Sequence, residues 1–297
     1  MQTGLECLVC FVRQALSAAR LSTHEKQIQR RVVDETGRML SRVDLHRTPP
    51  ENAVFLYRLI ADITGKQDPF RELKRQSNEF ALSIYDAISA QVEAAVDPLR
   101  AAIHFAACGN IIDYAAQHSF DAAESMTGCG AREFVVDDYL SLLDNLQRRK
   151  RTKVLYLADN CGEIVFDGIL IRKLQEADCE VTLAVRGAPI INDATMEDAV
   201  SCGLTSICPV IDNGTGCPGT PLADCSPEFR RFFSEADVIL SKGMGNFETL
   251  SDVQAPLFFL FTVKCARVAA YLNGRFADHK FKLDGTGEMM FVSRQNL

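Results

Sequence analysis

Five consecutive apolar residues, Val154-Leu155-Tyr156-Leu157-Ala158, lie between the basic cluster Arg148-Arg149-Lys150-Arg151 and the polar stretch Asp159-Asn160-Cys161-Gly162-Glu163. A short apolar run with such flanks is the mark of a strand buried on both faces. A helical pattern follows from Glu163 to Ala177, then a second apolar run from Val181 to Val185. Ser206 to Ile211 is a third candidate strand, and Val238 to Ser241 a fourth, with Phe229 to Phe233 as the helix before it. Strands that alternate with helices need right-handed crossovers, and these build a parallel sheet. In open sheets of that kind ligands sit beyond the carboxyl ends of the strands.

Upstream of the basic cluster the pattern is helical throughout, from residue 5 to about 149. Thr48-Pro49-Pro50 places a capping hydroxyl before prolines suited to a first turn. Asp68-Pro69 starts another helix, along which Leu73, Phe80, Ile84, Ile88 and Val92 share one face. Asp97-Pro98 starts a third, carrying Leu99, Ile103 and Ala106 inward. The chain therefore divides into a helical region at 1–149 and an α/β region at 150–297.

With 297 residues, 47% of them hydrophobic, the chain can bury one large core or two. A formal net charge of -7 argues against a nucleic-acid partner, which wants a basic surface. No stretch approaches the ~18 apolar residues of a membrane span; the most apolar, Pro256 to Val263, fits a buried strand or helix. Met1 to Cys10 has no basic segment leading into an apolar one, so no secretory signal is expected. The eleven cysteines are scattered, several within apolar patterns (Cys108, Cys179, Cys265), and read as reduced thiols of a cytoplasmic protein. Oligomeric state has no sequence signal.

The polar residues just after each strand carry the chemistry. They are Asp159-Asn160 after the first, Arg186-Gly187 and then Asn192-Asp193 after the second, Asp212-Asn213-Gly214 after the third, and Lys242-Gly243-Met244-Gly245-Asn246-Phe247-Glu248 after the fourth. Carboxylates and carboxamides suit a hard divalent cation such as magnesium or manganese. A lysine among glycines suits a phosphate. Taken singly, Asp159 with Asn160, and Asp193, are equally consistent with helix capping, and Lys242-Gly243 with a strand end and a turn. No nucleotide-binding glycine pattern follows a strand, and no Gly-x-Ser-x-Gly turn occurs. In the helical half, Gly109-Asn110-Ile111-Ile112-Asp113 is a polar interruption, either a helix junction or a lid segment over the sheet's ligand site. Cys7 and Cys10 share a helix face. Packing is favoured over a soft-metal site, which wants four ligands.

Together these segments resemble the damage-control phosphatases, the family also known as domain of unknown function 89 or ARMT-like. The similarity rests on Asp159-Asn160-Cys161-Gly162-Glu163, Arg186-Gly187-Ala188-Pro189 with Asn192-Asp193, Asn213-Gly214, Ser241 to Glu248, and Gly109 to Asp113; Cys7-Leu-Val-Cys10 resembles a stand-alone subfamily. The resemblance implies a helical amino-terminal portion on a Rossmann-like α/β/α sandwich with a mostly parallel sheet. It implies one divalent metal held by Asp159, Asn160 and Asp193, magnesium or manganese, with cobalt or nickel as alternatives. It assigns the phosphate to Lys242, with substrate contacts from Asn110, Asp113, Gly243, Gly245 and Asn246. The activity implied is hydrolysis of small phosphorylated metabolites, with Asp113 or Glu163 as candidate leaving-group acid. The rivals are a carboxyl methyltransferase using S-adenosylmethionine, and a non-catalytic metal- or phosphate-binding protein. The first is disfavoured because Asp159-Asn160 stands where such enzymes carry a glycine-rich turn.

Overall fold

The computed structural model describes residues 1–108, 132–277 and 281–297. Helices α1 (Leu5–Ser22), α2 (Lys26–Leu40), α3 (Pro49–Thr64), α4 (Arg71–Glu93) and α5 (Pro98–Cys108) come first. Strand β1 (Phe134–Asp137) and helix α6 (Tyr139–Gln147) follow, then β2 (Thr152–Leu157), α7 (Glu163–Glu176) and β3 (Cys179–Val185). The remainder is α8 (Met196–Ser201), β4 (Val210–Asp212), α9 (Pro227–Glu235), β5 (Val238–Lys242), α10 (Met244–Leu250), β6 (Leu257–Val263), α11 (Ala266–Arg275) and β7 (Glu288–Ser293). The α3 start is a capping box: the Thr48 hydroxyl accepts from the Glu51 amide, and the Glu51 carboxylate accepts from the Thr48 amide at 2.8 Å.

The seven described strands form one sheet in the order β1-β7-β6-β5-β2-β3-β4. All neighbours are parallel except β6 and β7. Side-chain alternation splits the core in two. Val154 and Tyr156 of β2, with Val238 and Leu240 of β5, face the layer of α4, α5 and α7. Leu155, Leu157 and Ile239 face α9, α10 and α11. Helices α1, α2 and α3 hold a third core of their own, around Phe11, Leu56 and Ile60. From β2 the chain winds outward to β3 and β4, then returns to the other side of β2 as β5. The gap between the ends of β2 and β5 is thus the point where the winding reverses, where α/β sheets bind ligands.

Three expectations need correction. The region before residue 149 is not all helix, because Phe134–Asp137 is a sheet strand whose partner, β7, lies far along the chain. Four residues with a half-buried pattern gave no local signal. The third strand starts late: Gly203 turns the chain at φ 74°, Leu204–Ser206 forms a 3-10 turn, and β4 begins at Val210. Cys108 is disulfide-bonded, whereas nine described cysteines are free.

Candidate active site

Asp159 and Asn160 leave the end of β2, and the segment after β3 is stitched to them. The Ala194 amide donates to the Asp159 carbonyl at 2.8 Å, and the Cys161 amide to the Asn192 carbonyl at 2.9 Å. Asn160 and Asp193 form an isolated antiparallel bridge. The backbone itself therefore brings together the three residues expected to hold a metal. The Asn160 amide nitrogen donates to Asp159 at 2.9 Å and to Glu163 at 3.2 Å.

Arg186 ties this cluster down. Its Nε donates to Asp193 at 2.6 Å, and its Nη2 lies 3.5 Å from Asp159. Its Nη1 donates to the Gly219 carbonyl, the Thr220 hydroxyl and the Asn246 side-chain oxygen, at 3.1, 3.2 and 2.9 Å. Burial, then the Asp193 and Glu163 carboxylates, push the Asp159 carboxyl well above its ordinary range. Burial raises Asp193 as well, although Arg186 opposes it. Carboxylates this crowded and this dry are short of positive charge.

Lys242 is placed otherwise than the sequence suggested. It shares its strand face with Val238 and Leu240, so it points beneath α7. Its ammonium is fully buried, 2.5 Å from Glu163 and 2.7 Å from Asp167. Burial alone would discharge it, but Asp167 and Glu163 hold it charged well above the usual lysine range. Asp167 also accepts from the Tyr156 hydroxyl at 2.6 Å. Lys242 thus locks β5 to α7 and is not among the residues lining the cavity described below.

The glycine-rich stretch is mostly framework. Gly243 has φ 79°, and a Cβ there would come within 2.0 Å of Asp159 Oδ2. Its amide donates to the Leu260 carbonyl at 3.0 Å, inside the sheet. A Cβ at Gly245 would meet the Pro218 carbonyl oxygen at 1.9 Å. The Asn246 side-chain nitrogen donates to the carbonyls of Ala158 and Lys242, at 3.2 and 2.8 Å, and so staples β2 to β5.

Above these strand ends lies a cavity of about 320 Å³. Asp159, Asn160, Asp193 and Gly245 form part of its wall, and Cys7, Phe11 and Pro50 close it from α1 and α3. Glu248, Lys264 and Arg267 also line it, as does Glu6. The buried Arg267 Nε has no hydrogen-bond partner. Sequence reasoning named Arg186 and Glu248 only as members of strand-end segments, with no individual role, and did not single out Lys264 or Arg267. For Lys264 a signal existed: it directly follows β6, the apolar run read only as a buried segment. Cys7 and Cys10 both line the cavity, Cys7 buried and Cys10 exposed. Asn110 and Asp113 lie outside the described residues. Among the described residues there is no group of three or more His, Cys, Asp or Glu suited to a metal, and no helix long and apolar enough to cross a membrane.

The profile of the damage-control phosphatase ARMT1-like domain matches residues 3–278. A damage-control phosphatase of Pyrococcus horikoshii is 36% identical over 277 residues, covering 92% of this chain and 95% of that one. One of Archaeoglobus fulgidus is 32% identical over 277 residues, covering 92% and 96%. The crystal structure of a Pyrococcus horikoshii protein of the domain-of-unknown-function-89 family superposes with a TM-score of 0.88 at 32% identity, covering 99% of each chain. The chain belongs to the damage-control phosphatase ARMT1-like family, and the names of its homologues support a phosphatase role.

Proposed function

We propose that the protein hydrolyses phosphate monoesters of small metabolites, sugar phosphates or damaged phosphometabolites, with one divalent cation held by Asp159, Asn160 and Asp193. The observation that carries this reading is the charge balance at the reversal point. Four buried or half-buried carboxyl groups, Asp159, Glu163, Asp167 and Asp193, converge there with two buried cations, Arg186 and Lys242. The deficit is two charges; burial raises Asp159, Asp193 and Asp167 alike, and of these only Asp159 and Asp193 line the cavity. Two carboxylates and a carboxamide oxygen are hard ligands, so the donor set fits magnesium or manganese, with cobalt or nickel as alternatives. When bound, such an ion supplies Lewis-acid polarisation of a phosphoryl oxygen and a more acidic water.

The chain's own residues would do the rest. Lys264 and Arg267 bring the positive charge that the cavity offers to a phosphate. Lys242 acts by holding Glu163, whose other oxygen orients the Asn160 amide. Helices α1 and α3 cover one side of the cavity, and where water is excluded each of these interactions is stronger. Asn110 and Asp113 keep a proposed role toward the substrate. The nine free cysteines among the described residues favour a reducing, cytoplasmic setting, and the disulfide at Cys108 stands against it.

The test is phosphate release from p-nitrophenyl phosphate with and without added magnesium or manganese. Chelation should abolish release and metal restore it, and Asp159→Ala should be inactive but folded. Full turnover in chelator refutes the metal; no release under any condition refutes the phosphatase reading.

A further inference from the structure

A phosphate ester whose leaving group is an alkoxide needs a proton at the bridging oxygen as the P–O bond breaks. Of the two sequence candidates, Asp113 lies outside the described residues, and Glu163 is committed to Lys242 and Asn160. Apart from Asp159 and Asp193, the cavity is lined by two carboxyl groups among the described residues, Glu6 and Glu248. Glu6 is exposed on the first turn of α1. Glu248, on α10, is buried and lines the cavity, as do Lys264 and Arg267. Its backbone carbonyl accepts from the Met1 ammonium at 3.0 Å, but among the described residues its carboxyl oxygens take no hydrogen bond. Its carboxyl group thus has the Met1 ammonium as a charge neighbour but no hydrogen-bond partner among the described residues, at the edge of the space a substrate would fill.

We infer that Glu248 is the general acid of the reaction, donating its proton to the leaving-group oxygen; the inference rests on the phosphatase reading above. The P–O bond to the leaving group breaks and the Glu248 O–H bond gives its proton to the departing oxygen, releasing an alcohol. Water adds to phosphorus and leaves as inorganic phosphate, and the proton shed by that phosphate returns through solvent to the Glu248 carboxylate.

The surroundings keep Glu248 protonated near neutrality. Burial pushes its carboxyl up to about 8, opposed by the Met1 ammonium. Cys7 on α1 and Cys265 before α11 face it and gain no charge at neutral pH, since burial raises both thiols. Lys264 and Arg267 share the cavity. Asp252 takes up the same Met1 ammonium at 3.1 Å, which weakens its hold on Glu248. A carboxylic acid with a value near the working pH is suited to this task.

The experiment is the dependence of kcat/KM on leaving-group acidity, measured with p-nitrophenyl, phenyl and benzyl phosphate in wild type and Glu248→Gln. The amide keeps the shape and loses the proton. Benzyl phosphate, which leaves as an alkoxide, should slow by about 10²- to 10⁴-fold. p-Nitrophenyl phosphate, which leaves unaided, should be little changed. In wild type, benzyl phosphate hydrolysis should also fall as the pH rises through about 8, more steeply than p-nitrophenyl phosphate hydrolysis. That comparison needs no variant and stands even if Glu248→Gln fails to fold. Equal loss across the series, or identical pH profiles for the two substrates, overturns the assignment and leaves the phosphatase reading intact. No release from any ester by wild type overturns both.

Discussion

Replacing Lys242 by methionine separates a lysine that holds phosphate from one that holds the fold. The side chain is fully buried and neutralises two carboxylates, Glu163 at 2.5 Å and Asp167 at 2.7 Å. Methionine fills similar volume, so little of the effect comes from a cavity. What remains is uncompensated charge. Removing one partner of a buried ion pair costs about 3–5 kcal/mol. At this chain length 1 kcal/mol moves the midpoint by roughly 2 °C, so Tm should fall by about 6–10 °C. The defect can be relieved by protonation. Burial already raises Asp167 to about 6 with the lysine present, and its removal can only raise it further. A group whose folded value is raised stabilises below its unfolded value and destabilises as the pH rises through the folded one. The gap between variant and wild type should therefore narrow as the pH falls toward 6. Calorimetry across pH, with p-nitrophenyl phosphate kinetics alongside, reads both quantities. An unchanged Tm with a KM raised manyfold would refute the argument, because it would put the ammonium on the substrate.

Gly243→Ala should lower turnover by roughly 10²-fold, since a 1 Å displacement of a reacting group costs about that much and the new Cβ would sit 2.0 Å from Asp159 Oδ2; steady-state kinetics with a melting curve checks it. Lys264→Ala and Arg267→Ala should each weaken phosphate binding, so inorganic phosphate should inhibit both variants less than wild type at a temperature where both are folded by circular dichroism. Asp198→Asn should destabilise the protein at neutral pH: burial raises this carboxyl, but Lys74 at 3.0 Å and Thr195 outweigh it and hold it low. That stabilisation is present above the unfolded value and lost as the pH falls through the folded one, so urea titrations of variant and wild type should converge in acid.

The parallel sheet and the site's position were legible because both follow from period and order. Val154 to Ala158 read as a two-sided strand, and the rule that ligands sit beyond the carboxyl ends of parallel strands pointed to the residues there, whereas the reversal of winding between β4 and β5 is seen only in the sheet order. Asp159, Asn160 and Asp193 were legible for the same reason, lying just past strand ends. Strand β1 was not, because its pairing with β7 spans more than half the chain and leaves no trace in a four-residue window.

The two lysines show where strand-end reasoning stops. Lys242 and Lys264 both terminate apolar strands, and a pattern that reports only the end of a strand treats them alike. The difference lies in which way each side chain leaves the sheet. Val238 and Leu240 pack under α7, and the two-residue repeat sends Lys242 the same way, into contact with Glu163 and Asp167. Those two carboxylates are themselves one helical turn apart, which puts them on one face of α7. Lys264 comes one residue after β6 ends, free of the pleat's alternation, and its chain turns into α11 beside the cavity. Parity alone treats the two lysines alike, since Phe258 and Leu260 face the same layer as Val238 and Leu240; what separates them is that Lys242 is the last residue within its strand whereas Lys264 lies past the end of its own.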